Sequence, residues 1–291
     1  MKEIFYKTLI EIKYRIYKYM YPNPNVINRV ETSEMIASNK SLSLVRFGDG
    51  ELGQILNQID IGFQKYNIEL ADRLKSIILA EEDRNILICI PNVFNDVSNL
   101  KNRPRFFWEE WIVNNKAILC NLLKSKKYGD SLVSRLYLPW KDTSNEITVV
   151  DNLKKTWCNK SVVIVEGAKT RWGVGNDLLA ETKSIKRILC PAENAFDKYD
   201  EIFNACMKYS EFTDIFILAL GPTATVLAFD LAKQGIRALD LGHFDLQYEY
   251  LMRQSEERVE IPTKYNNETM NTNVETCTDN SYLESIVFDL S

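Results

Sequence analysis

The chain has 291 residues, enough to bury one large α/β core or two modest ones, and its 45% hydrophobic and 26% charged residues are those of an ordinary globular protein. A net charge of −4, with no basic stripe interleaved with aromatics, argues against a nucleic-acid partner. The six cysteines stand far apart, which excludes a zinc framework or disulfide scaffold and suits a reducing cytoplasm; the lone histidine, His243, excludes a multi-histidine metal site.

Residues 2–20 predict an amphipathic helix. Ile4, Phe5, Leu9, Ile12, Ile16 and Tyr19 recur near helical spacing, and Lys2, Lys7, Lys13, Arg15 and Lys18 make the polar face basic. The segment is too polar for a signal peptide or a membrane span. A helix of this kind either packs its stripe on its own domain, the commoner case, or touches anionic lipid or a partner. Pro22 and Pro24 end it. A short helix over residues 32–38 follows, with Thr32 or Ser33 as its cap.

An apolar strand then runs into Arg46-Phe47-Gly48-Asp49-Gly50-Glu51. The glycines flanking Asp49 permit a sharp turn and close approach of another group. If the segment stays extended, Asp49 and Glu51 point to one face. Hard divalent cations take such carboxylates together with substrate phosphates. The plain alternative is an Asp-Gly surface turn.

Further along, helices are expected near 52–56, over 71–80 and over 106–123, the last carrying Trp108 and Trp111 as core or interface. The unbroken apolar run 86–90 reads as a buried parallel strand, and 132–138 as another, with Arg135 inside it. In the second half, strands at 161–165, 185–190, 215–220 and 238–241 alternate with helices from near 178, over 199–209 and through 232. This alternation predicts an α/β fold, Rossmann-like, with a mostly parallel sheet and helices on both faces. Ligands of such sheets sit at the carboxyl ends of the strands, where the candidate polar loops of this chain fall. Past residue 254 the chain is rich in Asn, Thr and Glu, with eight acidic residues against Arg258 and Lys264. Irregular structure is expected there, mobile near 271–280, with Ile286-Val287-Phe288 docking back.

Loop 169–177 sets Lys169 and Arg171 beside Gly173 and Gly175, ahead of the helix expected at 178, and so suits a diphosphate. It is neither a Walker loop nor a complete Gly-x-Gly-x-x-Gly, and its glycines could equally serve packing. Gly221-Pro222-Thr223 is a second anion site or simply a helix start capped by Thr223. His243 is a base, a metal ligand, a phosphate donor or a structural residue. Asp245 is a further acid, Arg135 an ion-pair partner or phosphate ligand, and the cluster at 264–268 a lid.

Taken together, Arg46-Phe47-Gly48-Asp49-Gly50-Glu51, Ser134-Arg135-Leu136-Tyr137, Glu166-Gly167 with Thr170-Arg171, Gly173-Val174-Gly175-Asn176-Asp177, Cys190-Pro191 with Asn194-Ala195-Phe196, Leu220-Gly221-Pro222-Thr223-Ala224 and Leu241-Gly242-His243 resemble the bacterial glycosyltransferases of the GT-D fold. The resemblance covers roughly residues 30–270. It implies one catalytic domain at 29–270, with the basic helix at 1–28 and the tail at 271–291 lying outside it. It also implies a cytoplasmic, metal-dependent transferase that uses a nucleotide sugar, a UDP-sugar above all, and inverts configuration. Its acceptor would be a glycan or glycoprotein of bacterial surface synthesis. Mn²⁺ or Mg²⁺ would sit on Asp49 and Glu51. Arg46, Phe47, Gly48, Arg135, Lys169, Arg171, Gly173, Gly175, Asn176, Gly221, Pro222 and Thr223 would surround the donor, and the base would be His243, Asp245 or Glu51. The N-terminal helix would be the contact to the inner membrane face or to a glycosylation complex. The rival readings are a nucleotide-sugar hydrolase or phosphotransferase, and a non-catalytic nucleotide-sugar-binding subunit.

Overall fold

The apolar runs of the sequence become strands covered on both faces, which is why they lack the alternation of a half-exposed sheet. The computed structural model describes residues 2–124, 126–266 and 274–291. Its first half runs α1 (Lys2–Met20), β1 (Asn25–Val26), α2 (Arg29–Ser38), β2 (Ser43–Arg46), α3 (Asp49–Asn57), α4 (Ile68–Ile78), β3 (Ile86–Ile90), α5 (Asn102–Leu122), β4 (Lys127–Asp130) and α6 (Glu146–Trp157). The second half runs β5 (Ser161–Gly167), β6 (Ser184–Cys190), α7 (Tyr199–Tyr209), β7 (Ile215–Ala219), α8 (Pro222–Lys233), β8 (Ala238–Asp240), α9 (Phe244–Met252), α10 (Asn280–Ser285) and β9 (Ile286–Asp289).

Among the described residues the strands form one nine-stranded sheet in the order β1-β4-β3-β2-β8-β7-β5-β6-β9. Every pairing is parallel. The strands of the two chain halves lie side by side and meet where β2 pairs with β8, Leu44 opposite Leu239. On one face Val45 and Phe47 join Leu74, Ile112 and Leu227 from α4, α5 and α8. On the other Leu44 joins Ile36, Val150, Trp157 and Phe244 from α2, α6 and α9. The alternation of β2 thus serves two cores at once.

Several local expectations change. α2 begins at Arg29 because Asn28 caps it, its side chain accepting the Glu31 amide at 2.9 Å. Thr32 and Ser33 are buried inside the helix and hydrogen-bond back to the carbonyls of Asn28 and Val30. The strand expected at 132–138 lies earlier, at Lys127–Asp130. There the Asp130 carboxylate accepts the Leu132 amide at 2.8 Å and turns the chain into a tight helical turn, leaving Arg135 just beyond it. No helix starts near 178. Arg171, Gly173 and Gly175 take positive φ angles of 50°, 72° and 78°, which a right-handed helix does not accommodate.

The N-terminal helix reverses its expected face. It lies on α5 through buried Ile10 and Tyr14, Tyr6 donates to Glu110, and Lys116 reaches the carbonyls of Tyr17 and Lys18 at 3.2 Å each. Ile4, Phe5, Leu9, Ile12, Ile16 and Tyr19 all stand exposed. No helix among the described residues is long and apolar enough to cross a membrane. At the other end Ile286, Val287 and Phe288 dock back as expected. β9 pairs with β6, so residues on both sides of position 270 share one sheet.

Candidate active site

The cleft lies at the carboxyl ends of the strands, over the β2–β8 seam, where two chain halves diverge and leave a crevice. It encloses about 1030 Å³. Arg46, Asp49, Glu51, Gly221 and His243 line it from the strand ends, and Arg135 from the turn after β4. The walls come from the Ile61–Gln64 turn, which carries Phe63, and from Lys101, Arg103 and Trp108 at the start of α5.

Asp49 and Glu51 do not stay extended. Gly48 is the N-cap of α3, and both acids fall in its first turn, where residues two apart diverge by about 200°. Asp49 is exposed at the cleft. Glu51 is buried and folds back, its Oε2 accepting the Gly48 amide at 2.7 Å. Burial raises the Glu51 pKa against the opposing pull of Arg46.

Arg46 carries the seam. Its Nη2 stands 3.4 Å from Oδ1 of Asp240, the last residue of β8. Thr225 of α8 donates to the Arg46 carbonyl at 2.9 Å and to Asp240 Oδ2 at 3.3 Å. Burial pushes Asp240 up to about 7, with Arg46 opposing. Burial also works against the charge of Arg46, but Asp240 and Glu51 outweigh it and raise its pKa. Gly242, at φ +45°, admits the guanidinium: a Cβ there would lie 2.6 Å from Arg46 Nη2. Asp240 was not singled out from the sequence, and Gly242 only as part of the Leu241-Gly242-His243 motif, although an acid ending an apolar strand is a legible signal.

Asp245 lines the cleft but is held on several sides. Lys264 Nζ donates to its two oxygens at 2.8 and 2.7 Å, and the Gly173 amide and Asn176 Nδ2 donate to Oδ1 at 3.0 and 2.7 Å. Asn176 also reaches Glu249 at 2.8 Å. The same strap joins Arg171 Nη1 to the Thr263 carbonyl at 2.8 Å, and the Tyr265 amide to the Lys169 carbonyl at 2.8 Å. Of the expected lid, Tyr265 lines the cleft, while Asn267 and Glu268 lie outside the described residues.

The structure therefore separates the expected donor residues. Arg46, Gly48, Arg135 and Gly221 line the cleft. Lys169, Arg171, Gly173, Gly175 and Asn176 do not: Lys169 is exposed elsewhere, and the others shape or fasten the loop after β5. Phe47 is core, and Pro222 and Thr223 are buried in α8, which Gly221 rather than Thr223 caps. Gly221, at φ +54°, packs so closely that a Cβ would come within 2.0 Å of the Phe63 ring. Three buried donors on cleft residues, Arg46 Nε, Ser131 Oγ and Trp172 Nε1, have no hydrogen-bond partner among the described residues. Such atoms are ones a polar ligand can satisfy. The described residues contain no group of three or more His, Cys, Asp and Glu able to hold a metal.

A parallel sheet wound from two halves, with an arginine-and-acid cleft at its switch point, defines a Rossmann-like α/β protein. Within that class, residues 44–269 match the family described as the glycosyltransferase GT-D fold, and the chain belongs to this family. It is 34% identical to glycosyltransferase GlyD of Streptococcus pneumoniae over 286 residues, 97% of this chain and 35% of that protein. It is 34% identical to the probable glycosyl transferase Gly of Streptococcus gordonii over 253 residues, 87% of this chain and 37% of that one. The chain thus spans little more than a third of the length of these curated relatives. A solved domain of unknown function 1792, described as having a distinct glycosyltransferase fold, superposes at TM-score 0.89 with 33% identity, over 97% of this chain and all of that one. A glycosyltransferase of the same domain type from Streptococcus sanguinis gives 0.88 with 32% identity, over 92% of this chain and all of that one.

Proposed function

We propose that this chain transfers a sugar from a UDP-sugar to a hydroxyl of a glycan or glycoprotein, in the synthesis of a bacterial surface polysaccharide or glycoprotein, with inversion at the anomeric carbon. The observation that carries this reading is the convergence of Arg46, Asp49, Gly221 and His243 on one cleft in a chain of this family. A volume near the top of the usual range for ligand sites, about 300–1,000 Å³, leaves room for donor and acceptor together.

Asp49 and Glu51 fit a cation carried in with the diphosphate better than a preformed cage, because of the two only Asp49 is exposed while Glu51 is buried. Asp49 would hold Mn²⁺ or Mg²⁺, and Glu51 would join by giving up its bond to the Gly48 amide. Once bound, the ion neutralises charge on the diphosphate. Arg46 and Arg135 bind and orient the phosphates and stabilise the charge that develops as the bond from the anomeric carbon to the diphosphate breaks. His243 accepts the proton of the acceptor hydroxyl as its oxygen bonds to the anomeric carbon. Asp245, fastened by Lys264, positions the loop after β5 rather than taking a proton.

Calorimetric titration of UDP with and without Mn²⁺, repeated with Asp49→Asn, tests the reading. Binding that needs the metal in the parent and loses that dependence in the variant is expected. UDP that binds equally in EDTA, or not at all, overturns it. Sugar release without acceptor would favour a hydrolase. UDP binding that persists in Glu51→Gln, with no turnover of the parent on any acceptor, would favour a binding subunit.

A further inference from the structure

The outer face of α1 carries a run of exposed apolar side chains that the cleft does not use. Phe5, Leu9, Ile12, Ile16 and Tyr19 recur at alternating steps of four and three, so they lie on one side of the helix, opposite the Ile10 and Tyr14 that hold it to α5. Phe5 is 72% exposed and Tyr19 83%, with Ile4 and Met20 exposed beside them.

The charges around this stripe have one sign to spare. α1 contains five basic and two acidic residues, a net +3, on a chain whose net charge is −4, so the remainder carries −7. Both acids are already paired within the helix, Glu3 with Lys7 and Glu11 with Arg15, each at 2.7 Å. Lys13, exposed at the stripe's edge, has no acidic partner on α1, whereas Lys18 turns to the domain side of the helix, where its charge acts on Asp96. A second copy of this helix would bring more cations and no unpaired acid. The stripe is also shorter than the three to four heptads that sustain a coiled coil.

We infer that α1 is a docking surface for an anionic lipid bilayer, lying in the interface with Phe5, Ile12 and Ile16 inserted and Lys13 among the headgroups. The helix is a rigid part of the domain, since Ile10, Tyr14 and Lys116 fix it along its length. Tyr6 meets Phe106 and Glu110, whereas Tyr17 and Lys18 meet Lys116, so α1 and α5 run side by side in the same direction. Because Arg103 and Trp108 of α5 line the cleft, docking would hold the cleft close to the membrane plane, within reach of a membrane-borne acceptor.

The test sediments the whole chain with vesicles of phosphatidylcholine, with and without phosphatidylglycerol. Binding only to the anionic vesicles, weakened by salt, is expected. Ile12→Glu should reduce partitioning by roughly a hundredfold and Lys13→Gln by roughly fivefold. Both side chains are exposed, so melting and UDP binding should stay as in the parent. Equal sedimentation with neutral vesicles, or none with either, overturns the inference. Self-association of the parent that Ile12→Glu removes, without vesicle binding, overturns it in favour of a second copy.

Discussion

Lys264 Nζ lies 2.7 and 2.8 Å from the two carboxylate oxygens of Asp245, and both side chains are buried. The pair ties the segment after α9 to the loop after β5. Lys264→Ala would strand a buried carboxylate and should cost about 3–5 kcal/mol in denaturant unfolding. Asp245→Asn should cost a similar amount while turnover persists at temperatures where the variant is folded. Turnover abolished with stability intact would make Asp245 the base instead.

Asp130 supplies a pH test. Burial pushes its pKa from 3.8 up to about 7, against the pull of the Leu132 amide, Arg29 and the Asn92 amide. The folded protein therefore holds this proton more tightly than the unfolded chain does. The resulting stability is present below about pH 4, is lost as pH rises toward 7, and stays lost above it. Asp130→Asn keeps an oxygen for the two amides without the charge. It should unfold less readily than the parent at pH 8, by roughly 1–3 kcal/mol, and about equally at pH 4. An equal difference at both pH values would refute this.

Gly242→Ala should strike the cleft before the fold. The new methyl group would force Arg46 away from Asp240, and UDP affinity should drop by roughly tenfold. Gly235→Ala is the control. At φ +78° it meets the same backbone strain, but nothing lies within 4 Å, so stability should fall without loss of binding.

His243→Gln should lower kcat by roughly 10²–10⁴ with UDP affinity preserved. Unchanged kcat would remove His243 from the chemistry.

Much of the sheet was legible because buried parallel strands must be apolar throughout: Ile86-Leu87-Ile88-Cys89-Ile90 and Val162-Val163-Ile164-Val165 could hardly be anything else. The ends of the elements were less so. Glu51, three residues after Gly48, accepts the N-cap amide at 2.7 Å, the half of a capping box that a glycine N-cap leaves, and this cue turns an extended Asp-Gly-Glu into a helix start. The cations and glycines of loop 169–177 follow the pattern of a phosphate site, yet their partners, Asp245, Glu249 and Thr263, lie some seventy to ninety residues on. α1 shows a related limit. Periodicity revealed its apolar face, but Ile10 and Tyr14, on the other side, met α5. A pattern shows which residues share a face; it does not show which face the rest of the chain will cover.

Arg46 and Asp240 are 194 residues apart in sequence and adjacent in space. A ribosome must therefore deliver nearly the whole domain before the cleft can exist. Until then β2 presents an unpaired edge that awaits β8. The strands β5, β6 and β7 can zip together from neighbouring sequence, but the seam must close a loop of nearly two hundred residues, a slow and entropically costly step. Ligand-binding competence should be among the last properties a nascent copy acquires, and copies cut short before β8 would expose that edge to aggregation.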